Sequence, residues 1–174
     1  AHSTPKEKIL EYATEIEGHP DNVAPAIFGG LIHTPKNDVS HSHDLHPSLH
    51  FTFLIPDFEL STKLARSVLP KRYSDNVHKT HDRKLKNLIE GLDEGDLEKL
   101  KDGCDDVIHQ PYRFPLIKDV DLIRNKLKQI DINTLFLSGA GPTLGVISQK
   151  RFTLDFSDTK AKWYQADLEI DHEG

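Results

Sequence analysis

The 174-residue chain carries a formal net charge of −6, and 36% of its residues are hydrophobic. This length allows one sizeable domain or one and a half small ones, and the acidic balance without a basic stripe argues against nucleic acid as the main partner. No apolar run approaches the roughly 20 residues needed to cross a bilayer, and the lone cysteine, Cys104, has no internal disulfide partner, which predicts a reducing, cytoplasmic location and a structural role for the thiol.

The first 30 residues predict two helices separated by a polar cluster. Apolar residues recur at helical spacing over residues 5–17, and this helix is expected to end near Gly18. A second short helix is predicted over residues 23–28, with Asn22 or Asp21 as its cap. The cluster between them, EGHPDN, contains an acid, an imidazole, a second acid and an amide. Burying so many polar groups without a purpose is costly, so we interpret the cluster as part of a site.

The middle of the chain predicts a loop, a strand and three helices. Residues 34–48 are typical of a loop or edge strand, and residues 49–56 form a mostly buried strand that Pro56 stops. Ser61 or Thr62 caps a short helix that ends before Pro70. The apolar positions of residues 75–103 indicate two helices that separate near GLDEGD.

The last third predicts one helix and several strands. A helix is expected around residues 120–130, followed by strands at 133–137 and 144–147 that flank the turn SGAGPT, and by a last strand over 166–170. The segment 150–163 fits helix and strand periodicity equally. Helices segregated against a few strands joined by short turns predict an α+β sandwich.

Four ordered motifs carry a family resemblance: EGHPDNVAPAIFGG, LSTKLARSVLP, DDVIHQPYR and LSGAGPT. Together they resemble the homoserine kinases of the GHMP (galactokinase, homoserine kinase, mevalonate kinase, phosphomevalonate kinase) superfamily. The resemblance implies a ferredoxin-like, two-layer α/β sandwich, the C-terminal domain of such kinases, over residues 49–174. Residues 1–48 would be the end of the N-terminal, ATP-binding domain. Since the family's Gly- and Ser-rich phosphate loop is not found before Glu17, we expect a C-terminal portion that is inactive alone.

The resemblance also implies an activity, which is the ATP-dependent phosphorylation of the hydroxyl of L-homoserine in threonine biosynthesis. ATP and Mg²⁺ are the implied cofactors, with Glu17 as the Mg²⁺ ligand. Asp21 matches the catalytic position, where we expect it to orient the hydroxyl rather than to act as a general base. His19 and Asn22 match substrate-contacting positions. A homodimer is compatible with the family.

A substrate carboxylate needs its own ligands. Arg66 and Arg113 match the family's carboxylate-binding arginines, and the guanidinium fork suits that task. Gly139 and Gly141 match the turn that brings backbone close to the substrate. The same arginines are also compatible with surface ion pairs, and the turn with an ordinary tight hairpin.

Two alternatives stay open. One is another GHMP kinase that acts on a different small alcohol. The other is a non-catalytic α+β binding module whose histidine-rich segment binds Zn²⁺, an option that rests on four closely spaced histidines: His41, His43, His46 and His50.

Overall fold

The computed structural model describes residues 4–35 and 41–174, which fold as two compact units. The first unit contains the described residues up to Leu45 together with Glu169–Gly174, and the second contains His46–Leu168. The second unit therefore forms one continuous stretch of chain. The first is built from both ends of the chain.

The first unit contains two helices and a two-stranded antiparallel sheet. Its elements in chain order are α1 (Lys6–Glu17), α2 (Val23–Phe28), β1 (Leu31–His33) and β2 (His41–His43). Gly18 ends α1 in a left-handed conformation, with φ at 88° and its N–H bonded to the Thr14 carbonyl at 2.8 Å. The C-terminal residues close this unit, because the Gly30 N–H donates to the Asp171 carbonyl at 2.7 Å. Both predicted helices are confirmed.

The second unit combines helices with a four-stranded antiparallel sheet. Its first elements are β3 (His50–Pro56), α3 (Thr62–Ser67), α4 (Asp75–Glu94), α5 (Leu97–Cys104) and α6 (Gln110–Arg113). A 3₁₀ turn (Phe114–Leu116), α7 (Val120–Gln129), β4 (Leu135–Leu137), β5 (Leu144–Ser148) and β6 (Trp163–Leu168) complete it. The strand order is β4-β5-β3-β6. The predicted α+β class is confirmed.

One face of the sheet packs against the helical layer. Along β3, Thr52, Leu54 and Pro56 are buried, as the alternation of a strand requires. Leu54 joins a core that extends from the sheet to the 3₁₀ turn and α7, with these further buried members: Phe114, Ile117, Val120, Ile123, Leu127, Leu135, Leu144, Val146, Leu154 and Trp163. The loops between β3 and α3, and between β4 and β5, lie in this second unit.

Helices α4 and α5 form a hairpin that a buried lysine fastens. The Lys84 side chain, with the residue only 7% exposed, donates to the Asp102 carbonyl at 3.0 Å and to its carboxylate at 3.1 Å. It also reaches the Asp105 carboxylate at 2.9 Å. Arg83 pairs with Asp102 as well and, as the largest influence, holds the pKa of that carboxyl at about 2. The polar first helix of the 75–103 region is therefore anchored by charge as well as by its apolar stripe.

Two expectations need correction. The last strand covers Trp163–Leu168, so the predicted range of 166–170 is wrong at both ends. Its position follows from pairing with β3, where Trp163 lies opposite Pro56 and Leu168 opposite Phe51. The ambiguous segment before it adopts neither regular structure up to residue 162.

None of the helices in the described part of the chain combines the length and apolar character that a membrane-spanning helix requires.

Asp119 holds this irregular segment in place. It lies before α7 with φ at 64°, and its carboxylate accepts hydrogen bonds from the Lys160 N–H at 3.0 Å and the Ala161 N–H at 2.9 Å. Burial by itself raises the pKa of Asp119, but these hydrogen bonds outweigh it and the pKa is lowered. The ionised side chain therefore stabilises the fold.

We expect Asp119→Asn to lower the free energy of unfolding by about 1–2 kcal/mol at neutral pH. Because the folded-state pKa of Asp119 is lowered, its contribution exists above the unfolded-state pKa of about 4 and disappears as the pH falls. The difference between variant and wild type, measured by urea unfolding, should therefore shrink in acid. Asp131→Asn is the matched control, because Asp131 is also left-handed at φ 59° and no bond of its carboxylate is found in the described structure. A constant difference down to pH 2.5 would contradict this account.

Candidate functional site

The polar cluster predicted as part of a site lies between α1 and α2 in the first unit. Glu17 is the last residue of α1 and is exposed, and Gly18 then turns the chain. His19 Nδ1 contacts the Asp21 carboxylate, which also accepts the Asn22 N–H at 3.0 Å. Asn22 occupies the N-cap position of α2 without a capping bond from its side chain. The imidazole of His19 thus lies beside the Asp21 carboxylate, and the exposed Asn22 amide remains available to a ligand.

The predicted arginines lie in the second unit. Arg66 is exposed on α3, where Ser61 begins the helix by accepting the Leu64 N–H, as predicted for the cap. Arg113 is the last residue of α6. Its Nε donates to the carbonyl of Ala65, the residue before Arg66, at 3.1 Å. The structure therefore brings the segment that carries Arg66 together with Arg113.

The turn between β4 and β5 joins the same group. Arg113 Nη1 donates to the Gly139 carbonyl at 3.3 Å, so one guanidinium links α3, α6 and this turn. Within the turn, the Gly141 N–H bonds the Ser138 carbonyl at 3.0 Å, with φ at 86° for Gly141. A Cβ at Gly141 would lie 3.1 Å from Leu137 Cδ1, so both conformation and space favour glycine there.

Arg113 keeps donors for a ligand. The bonds to Ala65 and Gly139 use Nε and one Nη1 hydrogen, which leaves Nη2 and the other Nη1 hydrogen uncommitted within the described residues. A guanidinium held through its Nε side and still open on its outer side is arranged to bind a carboxylate or phosphate.

Sequence reasoning missed two residues in this group. Asp106 accepts hydrogen bonds from backbone N–H groups at the start of α6, and the Gln110 side chain joins α6 to α5 and β4. An Asp followed by a proline-containing segment was the available signal, because a carboxylate there can cap a helix whose first turn contains Pro111.

Metal-ligand clusters are not assembled by the described residues. Among residues 4–35 and 41–174, no group of three or more His, Cys, Asp or Glu side chains is placed to hold a metal ion. Of the zinc candidates, His46 instead pairs its Nδ1 with Ser48 Oγ at 2.8 Å, and the side chain of His41 lies outside the described part. The histidine-rich alternative therefore gains no support from the geometry.

Two cavities in the second unit lie away from the predicted arginines. One of about 510 Å³ is bounded by α5, α7 and Gln110, and another of about 600 Å³ lies beside Leu97 and Phe152. Neither is lined by a predicted site residue.

Comparisons with known proteins agree with the architecture. The family model for the C-terminal domain of GHMP kinases matches residues 88–156. A homoserine kinase from Clostridium botulinum is 37% identical over 97% of this chain and 60% of its own length, and one from Clostridium acetobutylicum is 40% identical over 78% and 47%. The crystal structure of homoserine kinase from Cytophaga hutchinsonii gives a TM-score of 0.84 at 23% identity, over 99% of this chain and 60% of that chain. The chain thus spans about 60% of the length of such relatives.

Proposed function

From the match of residues 88–156 to the GHMP kinase C-terminal model and the similarity to homoserine kinases, we propose that the chain belongs to the GHMP kinase family and that the protein is a homoserine kinase that acts in threonine biosynthesis in the cytoplasm. In the proposed reaction the homoserine hydroxyl oxygen attacks the γ-phosphorus of ATP and the bond to the ADP oxygen breaks. The products are ADP and O-phospho-L-homoserine, and the hydroxyl proton is released. The activity is assigned to the complete gene product.

The placement of Arg113 favours an acidic substrate over a neutral sugar within the family. A carboxylate-bearing substrate requires a charged, geometrically fixed partner, and Arg113 is fixed by its bonds to Ala65 and Gly139 while its outer donors stay open. Arg66, exposed on the adjoining segment, would add a second positive charge. A neutral sugar has no anionic group that could pair with either arginine.

The first-unit cluster would serve the reacting end of the substrate. We propose that Asn22 and His19 hydrogen-bond the amino and hydroxyl groups, and that Asp21 orients the hydroxyl. The proximity of His19 to Asp21 supports this division, because it places the imidazole beside a carboxylate that stays more than half exposed. In phosphoryl transfer, positioning of the attacking oxygen is a main contribution of the protein to catalysis.

Mg²⁺ would neutralise charge on the phosphates when bound. Glu17 is the proposed ligand. Its exposed carboxylate makes no hydrogen bond or ion pair among the described residues, and Mg²⁺ in kinases takes only one or two carboxylates beside water and phosphate oxygens. The chemistry of this residue therefore fits the ion. We assign no ATP-binding residue in these 174 residues, and a homodimer stays a prediction.

A substrate comparison tests the proposal. The complete gene product should release ADP with L-homoserine at a kcat/KM at least about 100-fold above that with galactose or mevalonate. Galactose has no carboxylate for Arg113, and mevalonate lacks the amino group that we assign to His19 and Asn22. Preference for mevalonate or a sugar would favour a different GHMP kinase. Zn²⁺ binding in calorimetry, with no turnover of any alcohol, would favour the binding-module alternative.

A further inference from the structure

The start of α6 is organised by one carboxylate. Asp106 Oδ1 accepts the Ile108 N–H at 2.9 Å, and Oδ2 accepts the N–H groups of His109 at 2.6 Å and Gln110 at 2.8 Å. The N–H groups of His109 and Gln110 are donors that α6 leaves without partners at its N-terminus. The His109 ring lies 3.6 Å away and adds a further interaction. Burial alone raises the pKa of Asp106, but these hydrogen bonds outweigh it, so the pKa is well below its usual range and the group stays ionised at neutral pH.

Two other side chains fix the same segment. Gln110, 5% exposed, donates from Nε2 to the Cys104 carbonyl at 2.8 Å and accepts the Leu137 N–H on Oε1 at 2.9 Å. These bonds join α6 to the end of α5 and to the last residue of β4. The Tyr73 hydroxyl donates to the Ile108 carbonyl at 2.7 Å. The loop before α6 is thus held from more than one side.

Helix α6 depends on these contacts. It has only 4 residues, far fewer than a helix needs to be stable by itself. Its last residue is Arg113, whose guanidinium must reach both Ala65 and Gly139. The direction of α6 therefore decides where the outer donors of Arg113 point. Displacements of about 1 Å are known to matter at sites that position a reactant.

We propose that Asp106 is a positioning residue for the substrate carboxylate, acting through α6 on Arg113. This inference rests on the proposed function. Asp106 itself does not touch the substrate. It fixes the first turn of α6, and the fixed helix presents Arg113 in the orientation that leaves Nη2 free for the ligand.

Asp106→Asn in the complete gene product tests the inference. The variant keeps the size of the side chain but removes the charge and turns an amide toward backbone donors. The KM for L-homoserine should rise about tenfold, the lower end of the effect of supporting residues, while kcat and the KM for ATP change less than about threefold. Asp155→Asn is the matched control, since Asp155 also accepts a backbone N–H, that of Ser157 at 2.9 Å, but in the segment before β6. Its KM should equal that of the wild type.

A substrate without the carboxylate separates positioning from general damage. With 3-aminopropan-1-ol, which is homoserine without its carboxylate, Asp106→Asn and wild type should have the same KM. Tyr73→Phe provides a milder variant, because it removes only the hydroxyl that bonds Ile108, and it should raise the homoserine KM about twofold to threefold, in line with one weakened hydrogen bond. This second variant keeps the test decisive if Asp106→Asn does not fold.

The outcomes are distinguishable. An active wild type with an unchanged homoserine KM in Asp106→Asn, or in Tyr73→Phe where the first variant does not fold, overturns the inference alone. Equal losses with homoserine and 3-aminopropan-1-ol also overturn it, because the residue would then support the fold without addressing the carboxylate. A wild type that does not phosphorylate homoserine overturns the proposed function and the inference with it.

Discussion

Replacement of Arg113 by glutamine is expected to raise the KM for L-homoserine about 100-fold, the effect of losing roughly 2–3 kcal/mol of charge-assisted hydrogen bonding. Glutamine is polar but shorter than arginine, and it has neither the charge nor the forked donors. The KM for ATP should stay unchanged, since no role in nucleotide binding is assigned to this side chain. Steady-state assays of ADP release by the complete gene product measure both constants.

Arg113→Lys separates charge from geometry. Lysine keeps the positive charge but cannot donate to Ala65, to Gly139 and to a ligand carboxylate with fixed planar geometry. We expect a KM about tenfold above wild type, between those of the arginine and glutamine proteins. Arg151→Gln is the control, because Arg151 forms an exposed ion pair with Asp167 that should contribute little. A homoserine KM in Arg113→Gln that matches this control would remove Arg113 from the proposed site.

Gly103→Ala is expected to destabilise the second unit by about 3 kcal/mol, the upper part of the usual range for overpacking. A Cβ on Gly103 would lie 2.6 Å from the N, Cα and Cβ atoms of Leu88 in α4. Backbone atoms cannot move aside as a flexible side chain does, so α4 and α5 would have to separate. That separation would strain the bonds that Lys84 makes to Asp102 and Asp105.

Fluorescence of Trp163 gives a direct measure of this effect. Trp163 is the only tryptophan in the sequence and is 5% exposed within the core of the second unit, so urea unfolding of that unit changes its surroundings. The midpoint for Gly103→Ala should fall clearly below that for Lys79→Ala, which alters an exposed position on α4. Coincident midpoints would mean that the helix pair tolerates a wider spacing, contrary to the close contact between Gly103 and Leu88.

The sequence was sufficient for elements whose signals are local. Helices α1 to α5 and α7 follow apolar periodicity, N-cap residues and terminal glycines, and all of them were predicted with small errors at their ends. Helix α6 was missed because it has no periodicity of its own. It exists through the carboxylate of Asp106 and the side chain of Gln110, whose partners lie up to 27 residues away. Long-range bonds of this kind leave no trace in a short window of sequence.

The candidate site was predictable in its residue types but not in its support. The motifs selected Arg66, Arg113 and the glycine turn, and the structure brings the Arg113 guanidinium to that turn and to the segment with Arg66. The bonds that fix Arg113 use backbone carbonyls of Ala65 and Gly139. Every residue carries a carbonyl, so no side-chain pattern could have indicated which ones accept. The roles of all the predicted site residues stay predictions: Glu17, His19, Asp21, Asn22, Arg66, Arg113, Gly139 and Gly141.

The participation of both chain ends in the first unit has a consequence for biosynthesis. The amide of Gly30 bonds the carbonyl of Asp171, so this unit cannot form all its hydrogen bonds until residue 171 has left the ribosome. The second unit, a continuous stretch, can fold while translation continues. During that interval α1 and α2 lack their closing segment, which leaves this part of the nascent chain vulnerable to proteolysis and self-association.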